Sequence, residues 1–246
     1  MLKNKVVLIT GSSSGIGAAT ARIAVAQGAK VILHGKTEDD NLKAIAKELQ
    51  AEYIVCDIRD KKAVDKTVAD ILKHFPKIDA LCNVAGAINP KPFLETTDED
   101  WLDAYSVNLL GTVHFCQVLI PHMQKNKFGR IVNIASVRAY SQGSLASRLP
   151  YCASKAGVVN ITAGLAKEYA EDNILINSIS PGGVNTAIAK IYGNGAIAKR
   201  NADVPLNRIA EPNEIGEMIC FLISDKASYI TGQDFLIDGG YTIGKK

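Results

Sequence analysis

The 246-residue chain predicts a doubly wound α/β fold, with one parallel sheet of seven strands flanked by helices. Three observations lead there. Short apolar stretches alternate with amphipathic ones along the whole chain. The short stretches are apolar on both faces, as in Arg130-Ile-Val-Asn-Ile-Ala135, and the first runs directly into a glycine-rich turn. Central parallel strands covered by helices on both sides have this character. Right-handed crossovers between them wind the chain both ways from its first strand.

The first strand is expected near 5–10, where Val6-Val7-Leu8-Ile9-Thr10 leads into Gly11-Ser12-Ser13-Ser14-Gly15-Ile16-Gly17 and an amphipathic stretch through Gln27. Strand, glycine turn and helix together open a Rossmann-type βαβ unit. Glycine lets the main chain approach a phosphate with no Cβ in the way, and the helix start offers free N–H groups and a positive dipole end to a pyrophosphate. Further strands are expected near 30–34, 53–56, 78–83, 130–135, 174–179 and 233–237. Thr10, Asp57, Asn83, Ser136 and Pro181 all close a strand, and ligands of doubly wound sheets sit outside the carboxyl ends of the strands. No linker, repeat or low-complexity segment divides the chain, so a single domain over 1–246 is expected.

Tyr151-Cys152-Ala153-Ser154-Lys155 sets a phenol and an ammonium four residues apart in a stretch that reads as helix. Such residues share a helical face, and a neighbouring cation favours the phenolate. By itself the pair reads more readily as a tyrosine packed on an aliphatic stem. The Thr10-Gly-x-x-x-Gly15-Ile-Gly17 turn, Asn83-Val84-Ala85-Gly86, Asn108, Ser136, Tyr151-x-x-x-Lys155 and Pro181-Gly182-Gly183-Val184-Asn185-Thr186 follow one another along nearly the whole chain. In that order they resemble the short-chain dehydrogenase/reductase family in its single-domain form.

The resemblance implies a nicotinamide cofactor held by Gly11, Ser13, Ser14, Gly15, Ile16 and Gly17 at its phosphates, with Asp57 on the adenine amine. Asn83, Ala85 and Gly86 would line the adenosine side. Pro181, Gly182, Val184 and Thr186 would lie at the nicotinamide, with Thr186 on its carboxamide. Ser136 would polarise the substrate oxygen. Tyr151 would be the proton donor, or the base in the oxidative direction. Lys155 would lower the Tyr151 pKa and hold the ribose. An Asn inside an apolar helix is otherwise unfavourable. Asn108 is therefore expected to interrupt its helix and to anchor a water between Lys155 and solvent.

Cofactor choice is argued at the end of the second strand. An acid there accepts from the ribose 2′-hydroxyl of NAD and repels a 2′-phosphate. Here Gly35 aligns with that acid and Lys36 follows it, which favours NADP(H), with Ser12 to Ser14 as additional donors. NAD(H) is the alternative, with Lys36 an ordinary solvated lysine; Ser14 also stands where many NADP-dependent relatives carry Arg or Lys.

Residues 137–150 are expected to form a substrate wall, and about 187–204, with Gly193-Asn194-Gly195, a lid. Arg138, Arg148, Lys190, Lys199 and Arg200 are candidates to meet a polar or anionic substrate, although solvated positions are expected for most of them. Five scattered cysteines, Cys56, Cys82, Cys116, Cys152 and Cys220, read as reduced core residues. Cys152, beside Tyr151, is the one flagged for alkylation sensitivity, with a structural role the favoured reading. Four dispersed histidines give no metal site. A net charge of +3 with signs interspersed argues against a nucleic-acid partner. No run reaches membrane-spanning length, and the first strand begins too early for a signal peptide, so a cytoplasmic location is expected.

The expected activity is hydride transfer between NADP(H) and a small ketone, keto sugar or polyol. A 3-oxoacyl-(acyl carrier protein) reductase is the alternative, ranked lower because Glu171-Asp172, near the end of the Tyr-Lys helix, would repel an acidic carrier. A non-catalytic nucleotide sensor is the third reading, disfavoured by the presence of Asn108, Ser136, Tyr151 and Lys155 together. The resemblance further implies a homotetramer paired through helices near 99–125 and 151–170, with the apolar tail 235–243 docked.

Overall fold

A computed structural model of the protein describes residues 1–140, 148–187 and 202–244. Its seven strands are β1 (Val6–Thr10), β2 (Lys30–Gly35), β3 (Glu52–Val55), β4 (Ala80–Asn83), β5 (Gly129–Ile134), β6 (Ile174–Pro181) and β7 (Asp234–Ile237). They form one sheet ordered β3-β2-β1-β4-β5-β6-β7, every neighbouring pair parallel. Each expected strand is present within two residues of its boundaries. The fourth begins at Ala80; Asp79, just before it, donates its N–H to the Val6 carbonyl at 2.9 Å and accepts the Val6 N–H on its carboxylate at 2.8 Å.

Helices α1 (Gly15–Ala26), α2 (Asp40–Leu49), α3 (Lys61–His74), α4 (Asp98–Tyr105), α5 (Gly111–Lys125), α6 (Leu149–Tyr169) and α7 (Pro212–Leu222) connect them. Strand alternation sorts the side chains into two apolar layers. Val7 and Ile9 join Leu33, Val132 and Ile219 on the α1, α2 and α7 side, while Leu8 joins Ile32, Leu81, Phe115 and Met123 on the α3, α5 and α6 side. Most helix starts are closed by their own side chains. Asp39 and Asp60 cap α2 and α3, and reciprocal capping boxes, Thr97 with Asp100 and Glu211 with Glu214, begin α4 and α7. Among the described residues no helix is long and apolar enough to cross a membrane, and no cluster of His, Cys, Asp or Glu could hold a metal ion.

The chain winds one way through β2 and β3 and the other way through β4 to β7, so the crevice at the carboxyl ends of β1 and β4 is the expected ligand position. Most of the proposed lid, and 141–147 of the proposed substrate wall, lie outside the described residues.

Candidate active site

Between β1 and α1 the main chain folds where no side chain fits. Gly11 has φ +65°, and a Cβ on it would lie 2.8 Å from the Ala85 Cα; a Cβ on Gly17 would lie 2.3 Å from the Gly11 carbonyl oxygen. Unlike α2, α3, α4 and α7, helix α1 starts with no side-chain cap, and its first turn carries no acid. Its N–H groups and positive dipole end are therefore left for an anion. This cradle fits a dinucleotide pyrophosphate. Ser13, Ser14, Gly15, Ile16 and Gly17 line one side of a groove of about 450 Å³, and Val84 to Ala87 line the other.

Two buried side chains that the motif reading left without a role hold this cradle. Thr10 Oγ accepts the N–H groups of Val84 and Ala85 at 3.0 and 3.1 Å, tying the turn after β4 to the end of β1. His34 Nδ1 accepts the Gly11 N–H at 3.2 Å, and its Nε2 donates to the Cys56 carbonyl at 3.1 Å. Burial pushes the imidazole pKa down to about 4, so it is neutral in the tautomer this pattern requires. Its sequence signal was a lone histidine ending an otherwise apolar strand, where a buried ring must find partners.

At the adenosine end, Lys36 Nζ lies 3.3 Å from Asp57 Oδ2, and Arg59 grips the same carboxylate while reaching Asp103 at 2.9 Å. The Arg59 guanidinium, with burial opposing it, holds the Asp57 carboxyl well below the usual range. Asp60, not Asp57, caps α3, as expected. Gly35 has no room for the acid it replaces, since a Cβ there would lie 2.9 Å from both Leu42 Cδ2 and the Thr37 carbonyl oxygen. Asn83 departs from expectation. It pairs with Asn133 in the β4–β5 register, so its amide turns into the sheet interior and donates to Asn133 Oδ1 at 2.9 Å. Asn133 donates in turn to Thr162 of α6 at 2.9 Å, so Asn83 braces the helix that carries Tyr151 and is absent from the groove wall.

The reacting end is a cavity lined by Ser136, Tyr151, Lys155, Pro181, Gly182, Val184 and Thr186. Ser136 Oγ accepts the Arg138 N–H at 3.2 Å, which leaves its hydroxyl proton to donate. Lys155 is 3% exposed, donates to the Ile134 carbonyl at 2.6 Å and sits 5.8 Å from the Tyr151 ring. Burial pushes its pKa down to about 8. Asn108 does interrupt its helix. Ser106–Leu110 forms a π-turn between α4 and α5, a device common at functional sites. The Asn108 Nδ2 donates to the Ala87 and Ala104 carbonyls at 2.9 and 3.0 Å, and its Oδ1 accepts the Ala87 N–H at 3.0 Å. A Cβ on Gly86 would lie 2.9 Å from Asn108 Oδ1 and 3.4 Å from Lys155 Nζ, so glycine keeps these two groups in register.

Two neighbours of these residues are buried beside the cavity. Arg138 is not solvated: it is 8% exposed, lines the cavity together with Arg148, and lies 5.6 Å from the Tyr241 ring. Cys152 is 6% exposed, and burial raises its thiol pKa, so its side chain is shielded from alkylation.

A family model described as enoyl-(acyl carrier protein) reductase matches residues 11–242. The 3-oxoacyl-[acyl-carrier-protein] reductase FabG of Thermotoga maritima is 35% identical over 98% of this chain and 99% of its own length. The NAD-dependent glycerol dehydrogenase of Listeria innocua is 36% identical over 98% of this chain and 95% of its own. Among solved structures, a short-chain type dehydrogenase/reductase from Mycobacterium marinum superposes with a TM-score of 0.93 at 30% identity, covering 98% of this chain and 96% of that one. The chain belongs to the short-chain dehydrogenase/reductase family, oxidoreductases of CH–OH and carbonyl groups that bind NAD(P)(H).

Proposed function

We propose that the protein is an NADP(H)-preferring oxidoreductase of a small carbonyl or secondary alcohol substrate. The observation that carries this reading is the meeting of Ser136, Tyr151 and Lys155 in one cavity at the end of a glycine-walled groove. A carbonyl reduced here develops charge on oxygen and needs donors set in advance. Ser136 donates to that oxygen, and Tyr151 transfers its phenolic proton to it as the C–H bond forms. When bound, a reduced nicotinamide would supply the hydride and be oxidised by its loss. Lys155 keeps N–H donors beyond the Ile134 carbonyl for the ribose hydroxyls, and its charge favours the Tyr151 phenolate. The uncapped start of α1 would hold the pyrophosphate, and Thr186 and Val184, which line the cavity, would meet the nicotinamide. Asn108 Oδ1 retains a lone pair through which a water chain from Lys155 would reach solvent.

NADP(H) preference rests on Gly35, which excludes an acid, and on Lys36 and Arg59 beside the groove. A 2′-phosphate has only to draw Lys36 away from an exposed pairing with Asp57, and such pairings are worth little.

The FabG relative supports a second reading, reduction of a carrier-bound 3-oxoacyl group. The charge argument against it is weaker in the structure than in the sequence, because Asp172 is already engaged by Lys127 and Gln124. A homotetramer and a cytoplasmic location complete the proposal. Leu102 and Leu110, exposed on the 98–125 helical stretch, supply apolar surface for the former.

The test is initial-rate oxidation of NADPH and NADH over small ketones, keto sugars, keto acids and an acyl thioester. Turnover preferring NADPH on a small carbonyl supports the proposal, dominance of the thioester transfers it to the second reading, and no turnover with any class overturns both.

A further inference from the structure

From the geometry at the end of β2, and resting only on the family's binding of NAD(P)(H), we infer that His34 is a positioning residue for the coenzyme: its ring holds the pyrophosphate cradle and the adenine end of the groove at one fixed spacing. His34 stands beside Gly35 on β2, is 1% exposed, and lines the groove together with Gly11 and Asp57. Ser136, Tyr151 and Lys155 lie on the far side of β1 and β4, after β5 and on α6. An effect of His34 is therefore expected on coenzyme binding and not on the reacting groups.

Strand β1 leaves the sheet at this level. Its last pairing with β2 is Ile9 with Leu33, and the chain then turns at Gly11. The main-chain groups of His34 would face an edge with no strand on it, and buried groups of that kind need partners. Ser12 replaces the missing ladder: its N–H donates to the His34 carbonyl at 3.0 Å, and its hydroxyl accepts the His34 N–H at 2.8 Å. The ring adds a third tie, Nδ1 accepting the Gly11 N–H at 3.2 Å. On its other side Nε2 donates at 3.1 Å to the carbonyl of Cys56, the residue directly before Asp57. One rigid ring thus joins the first glycine of the cradle to the peptide that carries the expected adenine carboxylate. Phe115 of α5 packs on it in a T-shaped contact, ring centroids 5.4 Å apart, which fixes the plane of the imidazole.

The bridge exists in one protonation state. A peptide N–H only donates and a carbonyl only accepts, so the ring must be neutral with its proton on Nε2. Asp57, at the end of β3, favours the cation, and burial outweighs it, holding the imidazole pKa down to about 4. Among the described residues, Lys36, Arg59 and Asp103 are the other charged groups on the groove wall. An apolar side chain could fill the same space, but it would leave the Gly11 N–H and the Cys56 carbonyl unserved. The cradle would then have to be ordered by the coenzyme itself, and ordering on binding is subtracted from affinity. The ring supplies that order in advance.

Two substitutions break the bridge at opposite ends. Asn sets its Oδ1 where the ring has Nδ1, so His34→Asn keeps an acceptor for Gly11 and gives up Cys56. Gln sets its amide where the ring has Nε2, so His34→Gln keeps Cys56 and gives up Gly11. Each should raise the Kd for NADPH and NADH, read by fluorescence titration of the folded protein, by about tenfold. In steady state, KM for the coenzyme should rise by more than kcat falls. A merely structural ring would lower the melting temperature and leave Kd unchanged, so wild-type affinity in either folded variant overturns the inference. A fall in kcat with Kd and KM unchanged overturns it as well. Ring NMR of isotope-labelled histidines in the unaltered protein stands apart from the variants and covers the case in which neither folds. His34 should show the neutral Nε2–H form with no titration near the ordinary 6.5, whereas the Nδ1–H form or a titration there overturns the bridge. Coenzyme binding that depends on His34 without turnover of any carbonyl overturns the reaction reading and keeps this one. A wild-type protein that binds neither coenzyme removes both.

Discussion

At the adenosine end of the groove, Lys36, Asp57, Arg59 and Asp103 meet one another through side chains that are 64%, 29%, 39% and 57% exposed. At the reacting end, Asn108, Lys155 and Ser136 are 1%, 3% and 7% exposed, and the hydrogen bonds described for them run to main-chain groups. Exposed ion pairs are screened and rearrange at little energetic cost, whereas a buried donor or acceptor left without its partner is penalised in full. The coenzyme end can therefore change its charges without disturbing the fold, while the reacting end is locked to the backbone that positions it. Substitutions at the two ends should differ in kind as well as in size.

The largest effect is expected from Tyr151→Phe, which removes the proton donor and keeps the ring. It should lower kcat by about 10² to 10⁴-fold with little change in NADPH affinity, as read by steady-state kinetics beside fluorescence titration. Retention of wild-type kcat would break the comparison outright, because the buried end would then hold no essential donor.

Lys155 comes next, through pH. Its pKa lies at about 8 in the folded protein, against an ordinary value of 10.5, owing to burial. Between these values the unfolded chain holds a proton that the folded chain does not. Folding is therefore penalised in full below about pH 8, and the penalty is relieved as pH rises towards 10.5, by on the order of 3 kcal/mol. Melting temperature against pH should show the cofactor-free wild type gaining on Lys155→Met across that window. Parallel curves would show that Lys155 titrates as it does in water.

Asn108→Ala should follow. It strands the Ala87 N–H and the Ala87 and Ala104 carbonyls, a loss of about 2 kcal/mol that would appear as a fall in melting temperature of roughly 4–8 °C. The smallest effect belongs to the exposed end. Lys36→Ala should lower the NADPH-to-NADH ratio of kcat/KM by about tenfold with almost no change in melting temperature. A ratio that does not move would assign the 2′-phosphate to other groups, with Arg59 the next cation on the groove wall.

The doubly wound parallel sheet, the cradle and the catalytic trio were legible because each rests on local chemistry: continuous apolar strands, glycines where no Cβ fits, and a phenol and an ammonium one helical turn apart. Other features depend on which way a side chain turns, which a strand's pattern does not tell. Asn83 faces Asn133 in the sheet because of the β4–β5 register, and no motif encodes that register. Arg138 reads as a surface residue until the C-terminal segment brings Tyr241 against it. His34 was passed over because its partners, Gly11 and the Cys56 carbonyl, lie 23 and 22 residues away in sequence.

All five cysteines are free and buried, and burial raises the thiol pKa of each. They are spread over both apolar layers and the catalytic helix. The molecule thus carries its own set of opening clocks. A thiol reagent added to the native protein meets no ready thiolate, so the rate at which each cysteine is labelled reports how often its layer parts, and mapping the labelled positions would order the layers by how readily they open.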